Sequence, residues 1–97
     1  MRKITDKAIE AFNNNKPFNT SNTEVYYDID DKVTYLKLFG HIIAKKTNNR
    51  LFITNCGYFT NTTKERLNGL PNVSINQKKG VWYLNGKEWD GKLIEVK

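Results

Sequence analysis

The sequence predicts an α+β fold: an antiparallel β-sheet of about six to seven short strands, an N-terminal helix, and one short helix after the central meander. Three observations predict it. Apolar residues follow a helical period near the N-terminus, and a capping signature opens a second helix near residue 62; most of the remaining apolar segments have a period of two. The connections between the β-type segments of the meander are too short for a parallel crossover. The 97 residues suffice for one domain, 1–97, and not for two.

Taken in order, residues 5–14 read as a helix. Ile4, Ala8, Ala11 and Phe12 share one face, Thr5 suits the N-cap and Asp6 the first turn. The Asn13-Asn14-Asn15 run and Pro17 end it, and a loop of Asn, Thr and Ser follows. In 23–29, Val25, Tyr27 and Ile29 alternate onto one side of a strand, and Asp30-Asp31 turns the chain. In 33–39, Leu36 and Leu38 face one way and Val33, Tyr35 and Phe39 the other. Gly40 marks a bulge or sharp bend, 41–45 continues as a strand, and Thr47-Asn48-Asn49 turns into 50–54.

Thr62-Thr63-Lys64-Glu65 has the form of a capping box, with Thr62 as N-cap and Glu65 at the third helical position. The helix it opens runs to about Asn68, with Leu67 and Leu70 inward and Gly69 and Pro71 as stops. Strands at 73–77 and 81–84 flank a Lys78-Lys79-Gly80 hairpin loop. Asn85-Gly86 is the strongest hairpin signal in the chain, and Asp90-Gly91 turns into a last strand over 92–96.

Cys56 is the only cysteine and His41 the only histidine. An internal disulfide and a Cys- or His-rich metal site are therefore excluded. No apolar run approaches the ~20 residues of a membrane span, and no signal peptide follows Met1-Arg2-Lys3, so a reducing cytoplasm is the expected compartment. Cys56 and His41 have no identifiable third partner, and Asp28, Asp30 and Asp31 match no metal-loop spacing. The sequence thus predicts a binding protein without catalytic residues, metal or cofactor.

The net charge of +6 is lopsided. Residues 1–40 carry six Lys/Arg and six Asp/Glu; residues 41–97 carry ten and four, and hold all the excess. Such an imbalance points to a nucleic-acid or other anionic partner, although thirteen Lys and thirteen Asn also fit an A+T-rich genome. Two segments in that half suit an anion. Thr60, Thr62, Thr63, Lys64 and Arg66 gather hydroxyls and cations at a helix start, where unpaired N–H groups accept phosphate. Lys78, Lys79 and Trp82 combine a basic hairpin tip with a ring that could stack on a base. Both sets also fit a plain cap and a core tryptophan.

Asn55-Cys56-Gly57-Tyr58, Thr60, the string 62–70, Trp82-Tyr83-Leu84-Asn85-Gly86-Lys87 and Trp89-Asp90-Gly91 resemble a family of small bacteriophage proteins. In the first half the resemblance rests on the helix, Asn22-Thr23-Glu24-Val25, Gly40 and Ile42-Ile43-Ala44. It implies phage origin and action inside a bacterial host; it implies no activity and transfers no functional residue. Three partner classes fit: nucleic acid bound by the basic half, a host or defence protein bound by an aromatic patch drawn from Tyr26, Tyr58, Phe59 or Trp89, and a nucleotide held at 60–66. A homodimer is compatible with each.

Overall fold

The computed structural model describes residues 3–96. Helix α1 (Lys3–Asn13) leads into strands β1 (Phe18–Thr20), β2 (Thr23–Asp28), β3 (Val33–Leu38), β4 (His41–Thr47) and β5 (Arg50–Ile53). Helix α2 (Asn61–Asn68) follows, then β6 (Ile75–Lys78), β7 (Val81–Leu84), β8 (Lys87–Glu88) and β9 (Ile94–Val96). The strands form a six-stranded antiparallel sheet, β1-β2-β3-β4-β5-β9, and a three-stranded one, β6-β7-β8. The predicted α+β class is borne out, with two short strands, β1 and β8, beyond those the sequence outlined. β1 lies in the Asn/Thr/Ser stretch, where backbone pairing of Phe18 with Val25 and Thr20 with Thr23 outweighs low strand propensity.

Two-residue turns with positive φ at both central positions drive the meander. They are Phe39-Gly40, Asn48-Asn49, Lys79-Gly80 and Asn85-Gly86. This twist matches that of the flanking strands, so each reverses the chain between directly paired residues, such as Leu84 and Lys87. Gly40 therefore makes a full reversal. The bulge lies on β4 instead, where Ile43 is the extra residue between the Leu36–Ala44 and Lys37–Ile42 pairs. Ile29, expected on the Val25 face, lies in the β2–β3 turn and is exposed. Asp28 holds that turn by accepting from the N–H groups of Asp30 and Asp31.

α1 covers one side of the large sheet. Its buried stripe is Thr5, Ala8, Ile9 and Phe12, not the expected Ile4, Ala8, Ala11 and Phe12. Thr5 is thus an interior residue of the helix and not its cap. The core runs from this stripe through Val25, Leu36, Leu38, Ile43 and Ile53 to Leu67, Leu70, Trp82 and Trp89. Each large side chain buried there contributes about 1.5–3 kcal/mol. α2 ends at Gly69 with an ordinary right-handed φ of −76°. Glycine is needed there for space: a Cβ would come within 2.8 Å of Ile9 Cγ1, where the two helices meet.

The reason Thr5 is buried is Arg66. Its guanidinium is 1% exposed and donates to Thr5 Oγ1 (2.6 Å), Thr23 Oγ1 (3.1 Å) and the Glu65 carboxylate. Thr5 in turn donates to Glu65 Oε1 (3.1 Å). One polar knot thereby joins α1, β2 and α2 inside the core.

Gly91 holds a second joint. Its carbonyl accepts from Thr54 Oγ1 (2.6 Å) and Asn55 N (3.0 Å), and its φ is +87°. A methyl group added at Gly91 would collide with the buried Asn55 amide. Gly91→Ala is expected to lose about 1–3 kcal/mol in urea denaturation, through backbone strain and overpacking together. A variant as stable as the parent would show that the 90–91 turn does not pack against Asn55.

Candidate functional site

The loop leaving β5 carries Asn55 to Thr60 into α2. Thr60 is the N-cap, in extended geometry, and its Oγ1 accepts from Thr63 N at 3.2 Å. The helix thus starts two residues before the expected Thr62. With Thr60 as N-cap the third helical position is Thr63, so Glu65 lies outside a capping box, and its carboxylate is bound by Arg66 and Thr5 instead.

This geometry sorts the expected anion-facing residues. Arg66 and Thr63 face the core, and Trp82 is 1% exposed, so none of the three presents to a ligand. Trp82 is enclosed by Trp89, with centroids 6.2 Å apart, and by Phe59 edge-on at 5.1 Å. Trp89, expected as part of an exposed patch, is buried as well, and its Nε1 donates to Lys92 O. Thr60, Lys78 and Lys79 are exposed; Thr62 and Lys64 are half-buried. Lys64 Nζ donates to Gln77 Oε1 (3.0 Å) and lies 5.9 Å from the Trp82 ring. The helix start and the basic hairpin tip are therefore neighbours, as the anion reading requires.

The rest of the basic half does not join them. Lys46 Nζ donates to the Phe12 and Asn13 carbonyls at the end of α1, and burial lowers its pKa. Arg50 is held bidentately by Glu95 at 3.1 and 3.0 Å, a hydrogen bond and charge that raise its pKa. Lys45 lies over Phe52, Lys87 pairs with Leu84 away from the Lys78-Lys79 tip, and Lys92 sits 3.9 Å from Asp90. Arg2 and Lys97 fall outside the described residues. What the lopsided charge leaves without a carboxylate among the described residues is Lys64, bonded to Gln77 on the Trp82 side of β6, and Lys78 and Lys79 at the hairpin tip, with Lys78 on the Val81 side of the strand.

Beside Thr60 lies a cleft of about 290 Å³ lined by Leu38, Phe39, His41, Ile43, Tyr58, Thr60 and Thr63. Its rim is aromatic. Phe39 is 67% exposed and Tyr58 48%; Phe59, 52% exposed, lies outside the lining and turns onto Trp82. Tyr58 is braced by its hydroxyl against His41 Nε2 (3.2 Å), with ring centroids 4.9 Å apart. Phe39 has a φ of +50°, a conformation that favours Asn or Gly, and it sits at the β3–β4 turn. Sequence reading placed Phe39 within a strand; the signal that locates it is Phe-Gly between two period-two segments. Cys56 Sγ donates to Ile42 O (3.0 Å), while His41 is engaged by Tyr58, so the pair is not joined as nucleophile and base.

In chemical terms the site offers the apolar rings of Phe39 and Tyr58 at a cleft with the Thr60 hydroxyl at its edge. Among the described residues, no helix is long and apolar enough to cross a membrane. No curated protein and no solved structure matches the chain. The profile of the Kyanoviridae Gp96 protein family, a phage protein family, matches residues 1–95. The chain therefore belongs to the Kyanoviridae Gp96 protein family.

Proposed function

We propose that this phage protein binds single-stranded nucleic acid non-catalytically in the host cytoplasm, with a base at the Phe39–Tyr58 cleft and phosphates on Lys64, Lys78 and Lys79. The observation that supports the reading is the contact path from the aromatic segment to the cations: exposed Phe59, next to Tyr58 in the chain, packs edge-on against Trp82, over which Lys64 lies. Aromatic platforms accept any base face, at about 1–3 kcal/mol per stacked base. Phe59 takes the stacking role that the sequence suggested for Trp82, and Thr60 and Thr62 remain at the margin as hydroxyl donors. A duplex fits less well, because three cations cannot follow two backbones.

Fluorescence anisotropy with a labelled oligonucleotide of about 12 nucleotides tests it. Three phosphate contacts give a slope of about −2 for log K against log salt, so affinity falls about twenty-fold between about 50 and about 200 mM salt. Phe39→Asn is the informative variant. Asparagine accepts the positive φ, so folding stability rises by about 0.5–1 kcal/mol while binding weakens at least ten-fold. Absence of binding to both DNA and RNA oligomers at low salt would sink the reading.

One observation favours a second reading. The cleft wall is almost wholly apolar, and a strained, exposed phenylalanine is also what a protein-binding hot spot presents. A host or defence protein would then be the partner, bound with little dependence on salt.

A further inference from the structure

Among the described residues, no helix or strand covers the side of the large sheet facing away from α1, and only Leu93 flanks it, beside Tyr35 and Lys45. Cross-strand register places Tyr26, Tyr35, Lys45, Phe52 and Glu95 in one row across β2, β3, β4, β5 and β9. Lys46, one residue along, points to the opposite side and caps α1, which fixes the row as solvent-facing. Tyr26 and Tyr35 are stacked, with centroids 6.3 Å apart. Lys45 and Arg50 lie 5.3 and 5.2 Å from the Phe52 centroid, and Lys37 lies 6.0 Å from that of Tyr26.

We propose that this face is a self-association surface whose occupant is a second copy of the chain. Charge selects that occupant. Lys37, Lys45 and Arg50 stand against Glu24 and Glu95, near balance in a chain of net charge +6. Asp28, on the same side, turns its carboxylate to the β2–β3 turn. A polyanion gains little from such a surface, and a copy of the same surface meets almost no net repulsion there. Tyr, Phe and Arg beside balanced charges is also the composition of interface cores.

The area is consistent with a weak dimer. Five strands of three to seven residues, at about 4.8 Å spacing and about 3.3 Å per residue, give a footprint of roughly 400 Å². Two such faces bury roughly 800 Å² in all, the size of a weak, transient contact. Dimerisation is therefore concentration-dependent. Because each whole chain is cationic, salt strengthens it by screening, the opposite of its effect on oligonucleotide binding. The cleft lies at the β3–β4 turn on the core side of the sheet, so a dimer presents two clefts, and an oligonucleotide long enough to reach both would gain avidity.

Sedimentation equilibrium without nucleic acid tests this independently of the binding reading. From about 5 to about 500 μM the full-length chain is expected to pass from monomer to dimer, with the dimer fraction rising with salt. Tyr35→Glu, on the open face, is expected to weaken the dimer at least ten-fold with unchanged circular dichroism. Should that variant fail to fold, Tyr26→Glu at the exposed end of the row replaces it. A chain that stays monomeric throughout, or a dimer indifferent to the substitution, would overturn the proposal; the latter outcome would mean pairing at the β9 edge.

Discussion

Arg66→Ala is expected to lose about 3–5 kcal/mol of folding free energy, the largest single-residue effect in the chain. A domain of this size has only about 5–10 kcal/mol in total, so the variant is largely unfolded under mild stress. The loss has two parts. The guanidinium fills core volume, and its removal leaves a cavity among α1, β2 and α2. It also supplies the hydrogen bonds that Thr5 Oγ1, Thr23 Oγ1 and Glu65 accept, and the two threonines are themselves buried. Arg66→Met separates the parts: it keeps most of the volume, drops the donors and is expected to cost about 1–3 kcal/mol. Arg66→Lys recovers little, because one ammonium on a flexible stem cannot reproduce the planar fork. Urea denaturation followed by the fluorescence of buried Trp82 and Trp89 provides the measurement. An alanine variant within about 1 kcal/mol of the parent would contradict the buried knot.

Conversion of Lys64 and Lys78 to glutamine and Lys79 to asparagine is expected to reduce the salt slope for oligonucleotide binding from about −2 towards zero. Affinity at low salt falls by roughly ten- to a hundred-fold, while affinity at high salt changes much less. Asparagine is chosen at 79 because that residue has a φ of +53° in the β6–β7 turn, so the change does not strain the hairpin. None of the three lysines is in an ion pair among the described residues, so thermal stability is expected to hold. Loss of the exposed Lys64–Gln77 hydrogen bond and of the Lys64 contact with the Trp82 ring is the structural cost. An unchanged slope in the triple variant would move the phosphate contacts elsewhere on the molecule. A salt-independent partner interaction that survives the triple change and is lost in Phe39→Asn would favour the protein-binding reading.

Turns and strands were legible because Gly, Asn and alternating apolar residues act locally. Of the helices' interior faces, Ala8, Phe12, Leu67 and Leu70 were legible and the polar members were not, for one shared reason. Thr5, Ala8, Ile9 and Phe12 stand at i, i+3, i+4 and i+7, and so do Thr63, Arg66, Leu67 and Leu70. Each stripe opens with a threonine, and the second contains an arginine. Reading apolar residues alone as inward shifts the first face by a residue and assigns Arg66 to solvent. Only the partner element reveals that these polar groups satisfy one another. The same holds for the sheet: that Tyr26, Tyr35 and Phe52 share a row depends on register across three hairpins. For the cleft, Tyr58 was recognisable as an exposed ring, but Phe39 joins it only through the turn at Gly40.

The link between Thr5 and Arg66 spans 61 residues of chain, and that between Thr23 and Arg66 spans 43. Closing loops of that length costs entropy that local hairpins do not face, so such contacts tend to form late in folding. Interactions absent from the transition state slow departure from the native state and leave the rate of reaching it nearly unchanged. The buried guanidinium then acts as a kinetic latch, setting the lifetime of the folded chain more than the speed of its assembly.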